Sequence, residues 1–396
     1  VIPVKITEDI LSFRAIDWDR KLFDELVPLP EGTTYNAYIV KGSEKTALID
    51  TVYPPKTAEF IAALQASGIE RIDYIVANHA EHDHAGSIPA VLALFPAAKV
   101  VTNAKCKRFL LDTLPIERDA FLTVGDGHTL SLGDKTLSFL LTPWVHWPDT
   151  MVTHVPEAGI VFTCDFLGAH LATTDLYVTD AARLATAAKR YYAEIMMPYR
   201  SHSQAALARV EALKPGLIAP SHGPVHRRPS LIFDLYRDWT ADAAKPSVVI
   251  PYLSMYESTA KMVEYLVDRL HERGLSVHPV NVVDLDGGEF AMSLVDASTL
   301  VFASPTVLSG PHPAVAYAAL LANALAPKAR TAAVIGSFGW EGNLPETIQG
   351  MLGRLKVDFL DPVMVKGLPR AAAFAELDRL ADDIVAANVP TRLAAE

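Results

Sequence analysis

The sequence predicts an α/β protein of two domains, and three observations carry that expectation. At 396 residues the chain exceeds one ordinary domain, and half of its residues are hydrophobic, enough for two cores. Up to Trp239, short apolar strands alternate with helical stretches, and several strands end on a histidine or an acid. Past Trp239 a small polar stretch, 241–245, gives way to a fresh strand–loop–helix pattern beginning after Pro246. The boundary is expected near Ala244, with residues 1–244 and 245–396 as the two domains.

In chain order, 34–40 and 46–51 read as strands paired around the turn Lys41-Gly42-Ser43-Glu44. Residues 57–67 are helical, with Phe60, Ile61 and Leu64 on one face. The apolar run Tyr74-Ile75-Val76-Ala77 reads as a buried strand, 87–95 as a helix, 99–102 as a strand and 104–111 as a helix. Residues 122–141 break into three strand pieces at Gly125-Asp126-Gly127 and Gly133-Asp134. The order suggests two sheets flanked by helices.

Directly after the Tyr74 strand stands Asn78-His79-Ala80-Glu81-His82-Asp83-His84-Ala85-Gly86, with five ionisable side chains in six residues. Charge this crowded needs a cation to collect it, and a metal pair accounts for the density. Three later strands each deliver one further ligand type at their C-terminal ends. Residues 137–141 lead to His146, 159–164 to Asp165, and 216–220 to His222. The candidate metal and catalytic set is therefore His79, Glu81, Asp83, His84, His146, Asp165 and His222, enough for two ions. Asp165, the one isolated carboxylate, is the expected bridge. His82 should point away from the ligands, His170 is a candidate to line the site, and His128, His154, His202 and His226 read as surface or structural.

Composition excludes several classes. A net charge of −11 argues against nucleic-acid and anionic-membrane binding. Cys106 and Cys164 are the only cysteines, with no CxxC, which fits a reducing compartment and excludes a cysteine-ligated iron centre. Residues 1–10 lack a signal-peptide core and no apolar run reaches the roughly 18 residues of a membrane span, so a cytoplasmic protein is expected.

The second domain opens with the strand Val248-Val249-Ile250, the loop 254–259 and an amphipathic helix carrying Met262, Val263, Leu266, Val267 and Leu270. Hydroxyl residues entering a helix N-terminus can hold a phosphate. Two more strands, 300–303 and 332–335, lead into the polar or aromatic stretches 304–310 and 336–342. No Gly-x-Gly-x-x-Gly follows any strand, so an NAD(P)H site is not expected.

The run His79-x-Glu81-x-Asp83-His84-x-Gly86, the stretch His146-Trp147-Pro148-Asp149, Asp165 and the turn Ser221-His222-Gly223 resemble the metallo-β-lactamase-like domain of the flavodiiron proteins. The three strand-end loops after residue 245 resemble the flavodoxin-like domain of the same family. The resemblance implies an N-terminal metallo-β-lactamase-like αββα sandwich followed by a flavodoxin-like doubly wound parallel sheet. It implies two non-haem irons, one on His79, Glu81 and His146, the other on Asp83, His84 and His222, with Asp165 between them. Zinc hydrolases of the superfamily carry histidine where this chain has Glu81, and the extra carboxylate favours iron or manganese.

It also implies FMN, with Ser254, Met255, Tyr256, Glu257, Ser258 and Thr259 taking the phosphate. Ser304, Pro305, Thr306, Val307, Leu308, Ser309 and Gly310 would flank the ring on one side, and Ser337, Phe338, Gly339, Trp340 and Gly342 on the other. The family usually has two asparagines at Leu308 and Ser309, and Asp-Thr at Leu253 and Ser254. The implied activity is reduction of O2 to water, of NO to N2O, or of both. Electrons would come from an external rubredoxin or a flavin or NAD(P)H reductase, in a head-to-tail homodimer or a dimer of dimers. The alternative is a binuclear zinc hydrolase fused to a flavodoxin-like module.

Overall fold

Alternation along the strand Thr33–Lys41 sets the architecture of the first half. Tyr35, Ala37 and Ile39 enter one core while Tyr38 and Val40 enter another, so the strand belongs to a sheet covered on both faces. The same split recurs at Ile75 and Val76 and at Val100 and Val101. The computed structural model describes residues 1–23 and 25–388. The last eight residues of the expected second domain, 389–396, lie outside the described residues. Two compact units emerge: Val1–Tyr192 with Tyr199–Thr240, and a second that begins at Ala241 and takes in Ala193–Pro198.

The first unit holds two sheets. One has seven strands in the order Ile2–Lys5, Ile10–Asp17, Thr33–Lys41, Thr46–Ile49, Tyr74–Val76, Lys99–Asn103 and Phe121–Val124. Pairing is antiparallel up to Thr46–Ile49 and parallel beyond it. The other has five strands, Thr129–Ser131, Thr136–Leu141, Met151–Val155, Ile160–Cys164 and Leu217–Pro220, antiparallel except for the last pair. Val40, Ile49 and Val76 from the first sheet meet Phe139, Met151 and Phe162 from the second, so the inter-sheet core is apolar from both sides. On the outer face of the first sheet, Phe60 and Leu64, Val91, and Leu110 come from the helices Thr57–Ala66, Ile88–Leu94 and Ala104–Thr113.

The N-terminal strands Ile2–Lys5 and Ile10–Asp17 had no clear sequence signal. In Ile10–Asp17 the buried positions include Ser12 and Arg14, which disguise the apolar pattern. Arg14 is tolerated there because its guanidinium donates to the carbonyls of Thr173 and Thr174 at 3.0 and 3.1 Å.

The second unit is a parallel sheet in the order Ser276–Asn281, Ser247–Tyr252, Thr299–Val307, Thr331–Phe338 and Asp358–Phe359, with Val363–Lys366 also pairing the fourth strand. The second segment in chain order lies at the edge and the first beside it, the flavodoxin arrangement, which leaves a crevice at the strand C-termini. The helices Ser258–Glu272 and Ala371–Asn388 bring Met262, Leu266, Leu377 and Ile384 to one core. Two expected loops are corrected here. Ser304–Val307 continue the strand Thr299–Val307, and Gly336–Phe338 continue Thr331–Phe338, because Ser304 pairs with Gly336 and Pro305 with Ser337. Polar, Gly and Pro residues suggested an early strand end, yet the parallel ladder runs through them.

The two sheets of the first unit are pinned where their turns meet. Glu44 N and Lys45 N both donate to Leu132 O, at 2.9 and 3.2 Å. Gly42 permits this approach, since a Cβ there would collide with the Leu132 backbone. Gly42→Ala is expected to lower unfolding free energy by about 1–3 kcal/mol through overpacking. Urea denaturation reads the effect, and an unchanged midpoint would mean the turns separate without loss.

Candidate metal centre and cofactor cavity

Every candidate ligand in the first unit leaves the C-terminal end of a strand. His79 and Glu81 follow Tyr74–Val76, and the short helix His82–Ala85 carries Asp83 and His84. His146 lies on the loop after Thr136–Leu141, Asp165 directly follows Ile160–Cys164, and His222 follows Leu217–Pro220. The fold brings all seven together, with His79, Glu81, His146 and Asp165 in one group and Asp83, His84 and His222 in another, while Cys164 lies within ligand distance of His84 and Asp165.

Distances show how the groups join. Glu81 Oε2 is 3.1 Å from His79 Nε2 and 3.2 Å from His146 Nε2. Asp83 Oδ2 is 3.1 Å from His222 Nε2, and Asp83 Oδ1 is 3.2 Å from His84 Nε2. Asp165 faces both ways. Its Oδ2 lies 3.6 Å from His146 Nε2 and 3.8 Å from His79 Nε2, while its Oδ1 lies 2.9 Å from His84 Nε2 and 3.4 Å from His222 Nε2.

These residues fit a metal pair on a specific observation. Both carboxylate oxygens of Asp83, Oδ2 of Asp165 and Nε2 of His84 are buried without a hydrogen-bond partner, although imidazole and carboxylate approach each other closely. Buried polar atoms left in this state are costly, so the convergence points to cations rather than to paired hydrogen bonds. The surroundings aim two of the rings. His222 Nδ1 donates to Thr34 O at 2.7 Å, which turns its Nε2 inward as a lone-pair donor. His79 Nδ1 lies 3.1 Å from Asp149 Oδ2, and Ala80 N donates to the same oxygen at 2.9 Å. The two groups differ in exposure: Glu81 and His146 side chains are 11% and 12% exposed, those of Asp83, His84 and His222 only 1–2%.

Electrostatics follow from this crowding. Burial opposes charge on His146, but Asp165 and Glu81 overcome it and raise the imidazole to about 9. Burial likewise opposes charge on His222, and Asp165 and Asp83 raise it to about 10. Glu81 is lowered despite burial by His146 and His79, and Asp165 is held well below the usual carboxylate range by His84, His146 and His222.

His82 is exposed and points away, as expected. His170 is buried with its ring 4.6 Å from that of His222, its Nδ1 2.9 Å from Thr33 Oγ1, and Phe23 at 5.2 Å. Burial, then the neighbouring His222, keeps it well below its usual range and neutral. Of the other histidines, His226 is buried and bonds Leu167 O at 3.0 Å. Sequence reasoning missed Tyr191, whose hydroxyl donates to Asp165 Oδ1 at 2.7 Å from the end of the helix Ala181–Tyr191. Nothing local to that helix distinguishes it from a core tyrosine. Asp149 stood in a quoted stretch without a role, although an acid three residues past a ligand histidine is a usable signal.

The second unit has a cavity of about 430 Å³ at its strand C-termini. Met255, Tyr256, Ser258, Pro305, Thr306, Ser337, Phe338, Gly339 and Trp340 line it, together with Gly367 and Leu368, which the sequence did not suggest. Ser254, Glu257, Thr259, Ser304, Val307, Leu308, Ser309, Gly310 and Gly342 do not line it. An aromatic-walled crevice suits a planar ring. The helix Ser258–Glu272 begins at its rim and Ser254 Oγ nearby is buried without a partner, which suits a phosphate.

The family described as ODP family beta lactamase matches residues 33–223. A nitric oxide reductase of Moorella thermoacetica is 33% identical over 90% of this chain and 91% of its own. The solved rubredoxin oxygen:oxidoreductase of Desulfovibrio gigas superposes with a TM-score of 0.93 at 30% identity, covering 98% of each chain. The flavodiiron protein of Giardia intestinalis gives 0.91 at 26% identity, covering 98% of this chain and 97% of its own.

Two outcomes follow from the cluster. Asp149→Asn is expected to weaken metal binding at the His79 group about 10- to 100-fold, by loosening the ring it orients; metal titration with a competing chelator measures this, and equal affinity would remove Asp149 from that role. In protein stripped of metal, imidazoles raised above 6.5 contribute stability that is complete below 6.5 and disappears as pH rises through about 9 to 10. The lowered Glu81 and Asp165 contribute stability above their unfolded values, lost as pH falls. Thermal melts should therefore show stripped protein losing stability from pH 7 to 10 while metal-loaded protein loses much less; parallel losses would contradict the coupling.

Proposed function

The chain belongs to the flavodiiron proteins, and from that premise we propose that it is an oxidoreductase that reduces O2 to water, NO to N2O, or both. One observation carries the reading: two buried donor groups share the single carboxylate Asp165, and the more open group includes Glu81. Full-length similarity to oxygen and nitric oxide reductases sets aside the zinc-hydrolase alternative.

In this reading His79, Glu81 and His146 would hold one iron and Asp83, His84 and His222 the other, with Asp165 shared between the two groups. The proximity of His84 Nε2 to Asp83 and Asp165 supports its place among the ligands. When bound, the iron pair supplies redox chemistry at mixed histidine and carboxylate ligation, with electrons drawn from FMN. The chain's own contribution is positioning and proton control. Asp149 and Thr34 O orient His79 and His222. Burial first, and then the charge of Asp165, keep the Tyr191 phenol well above 10, so it stays a donor to Asp165 Oδ1. Phe23 covers His170 and His222 and limits water there.

FMN would occupy the cavity walled by Tyr256, Phe338 and Trp340, with Ser254 and Ser258 near its phosphate. We place the di-iron domain in residues 1–244 and the FMN domain in 245–396. The donor is external and rubredoxin-like, or a flavin or NAD(P)H reductase. Assembly is a head-to-tail homodimer or a dimer of dimers, which sets one copy's FMN against the other's irons. None of the described helices is long and apolar enough to cross a membrane. We place the enzyme in the cytoplasm, a location that two cysteines without a CxxC pair support.

The test is to reduce iron- and FMN-loaded protein without oxygen, then follow O2 and NO consumption separately under continued electron supply. Turnover of at least one gas is expected, and it should fall at least about 100-fold in Glu81→Ala. Protein that carries two zinc ions and no flavin, or that consumes neither gas when fully loaded, would end this reading.

A further inference from the structure

Cys164 is outside the seven-residue set, yet its sulphur lies against it. The residue ends the strand Ile160–Cys164, directly before Asp165, and is 2% exposed. Two backbone features aim its side chain. The parallel ladder to Leu217–Pro220 slips register between Phe162 and Cys164, and Cys164 itself is left-handed, with φ of +53°. Residues other than glycine are uncommon in that conformation, and a slipped ladder beside a site redirects a side chain. Ser221 N donates to Cys164 O at 2.8 Å and holds the bend. Sγ of Cys164, a ring nitrogen of His84 and a carboxylate oxygen of Asp165 all lie within 4.8 Å of one another.

The two neighbours of this sulphur have donor atoms to spare. His79 and His222 are each aimed by a partner at Nδ1, whereas both ring nitrogens of His84 are buried without a hydrogen bond. Oδ2 of Asp165 is in the same state. Burial alone does not make a cysteine a donor here. Cys106 is also buried, but its Sγ lies 3.9 Å from Ala77 O, and it joins none of the donor groups among the described residues.

Carboxylates and imidazoles suit iron or manganese, but a thiolate is softer and moves the preference towards zinc or cadmium. We infer that Cys164, His84 and Asp165 form an overlapping donor group that takes one soft divalent cation, zinc or cadmium. The thiol proton leaves to solvent as the cation binds. His84 and Asp165 also belong to the iron set, so a soft cation in this group and the iron pair exclude each other. Soft cations therefore displace iron instead of adding to it, and the thiol opens the centre to poisoning by them. The inference goes beyond the iron reading and stands on donor geometry, whichever metal pair the seven residues hold.

The probe is cadmium alone, added to full-length, FMN-loaded protein stripped of other metals. Cadmium NMR of the unaltered chain should give a resonance in the thiolate range, and a shift typical of nitrogen and oxygen ligands only would overturn the inference without any substitution. Difference absorbance should show a thiolate-to-metal band in the unaltered protein and in Cys106→Ser, and none in Cys164→Ser. Cadmium affinity should fall at least about 10-fold in Cys164→Ser, since even outer partners of a metal ligand act on that scale. Uptake of iron by Cys164→Ser checks that it folds; if it does not, the NMR shift decides. A band that survives Cys164→Ser, or disappears in Cys106→Ser, overturns the assignment. In iron-loaded protein the band should grow only as iron is released, and a full band with all iron retained would overturn the shared ligation. Absent gas turnover with the cadmium results as expected would end the iron reading and leave the thiol group standing.

Discussion

Four imidazoles and three carboxylates converge in a pocket that water scarcely enters, and the rest of the first unit is arranged to make that tolerable. Like charges at these distances are strongly unfavourable unless protons or metal ions lie between them. Strand ends solve the placement problem. Each strand is locked into the inter-sheet core by residues such as Val76, Phe139 and Phe162, so the side chains immediately beyond it have little freedom. A ligand set held this way does not depend on the metal to assemble it, which lowers the ordering cost of binding.

The same logic explains what was legible in the sequence. An apolar strand followed by a histidine or an acid is a local pattern, and it recurred at His146, Asp165 and His222 after the dense run from His79 to His84. From Thr34 to Leu141 the order of strands and helices was readable because hydrophobic periodicity is also local, whereas the N-terminal strands Ile2–Lys5 and Ile10–Asp17 were not. What escaped notice depends on partners distant in the chain. Arg14 sits in a buried strand because the carbonyls of Thr173 and Thr174 accept its hydrogen bonds, and Tyr191 matters because helix packing carries its hydroxyl to Asp165. The carbonyl of Thr34, which aims His222, is a backbone group and has no residue signature at all.

The second unit shows the opposite weakness of local reading. Serine, proline and glycine at 304–305 and 336–337 resemble loop residues, yet ladder pairing with a neighbouring strand overrides composition. The strands therefore reach further, and the cavity is lined by the strand ends Pro305, Thr306, Ser337 and Phe338 together with the loop residues Met255, Tyr256, Gly339, Trp340, Gly367 and Leu368.

The metal cluster has a front and a back. Glu81 and His146 reach the surface, whereas Asp83, His84 and His222 are almost sealed. A cation held by the first group would meet solvent at Glu81 and His146, whereas one held by the second could leave only by local opening around a buried strand end. The two positions would therefore keep different clocks, the front one set by its surroundings and the back one by how often the fold breathes.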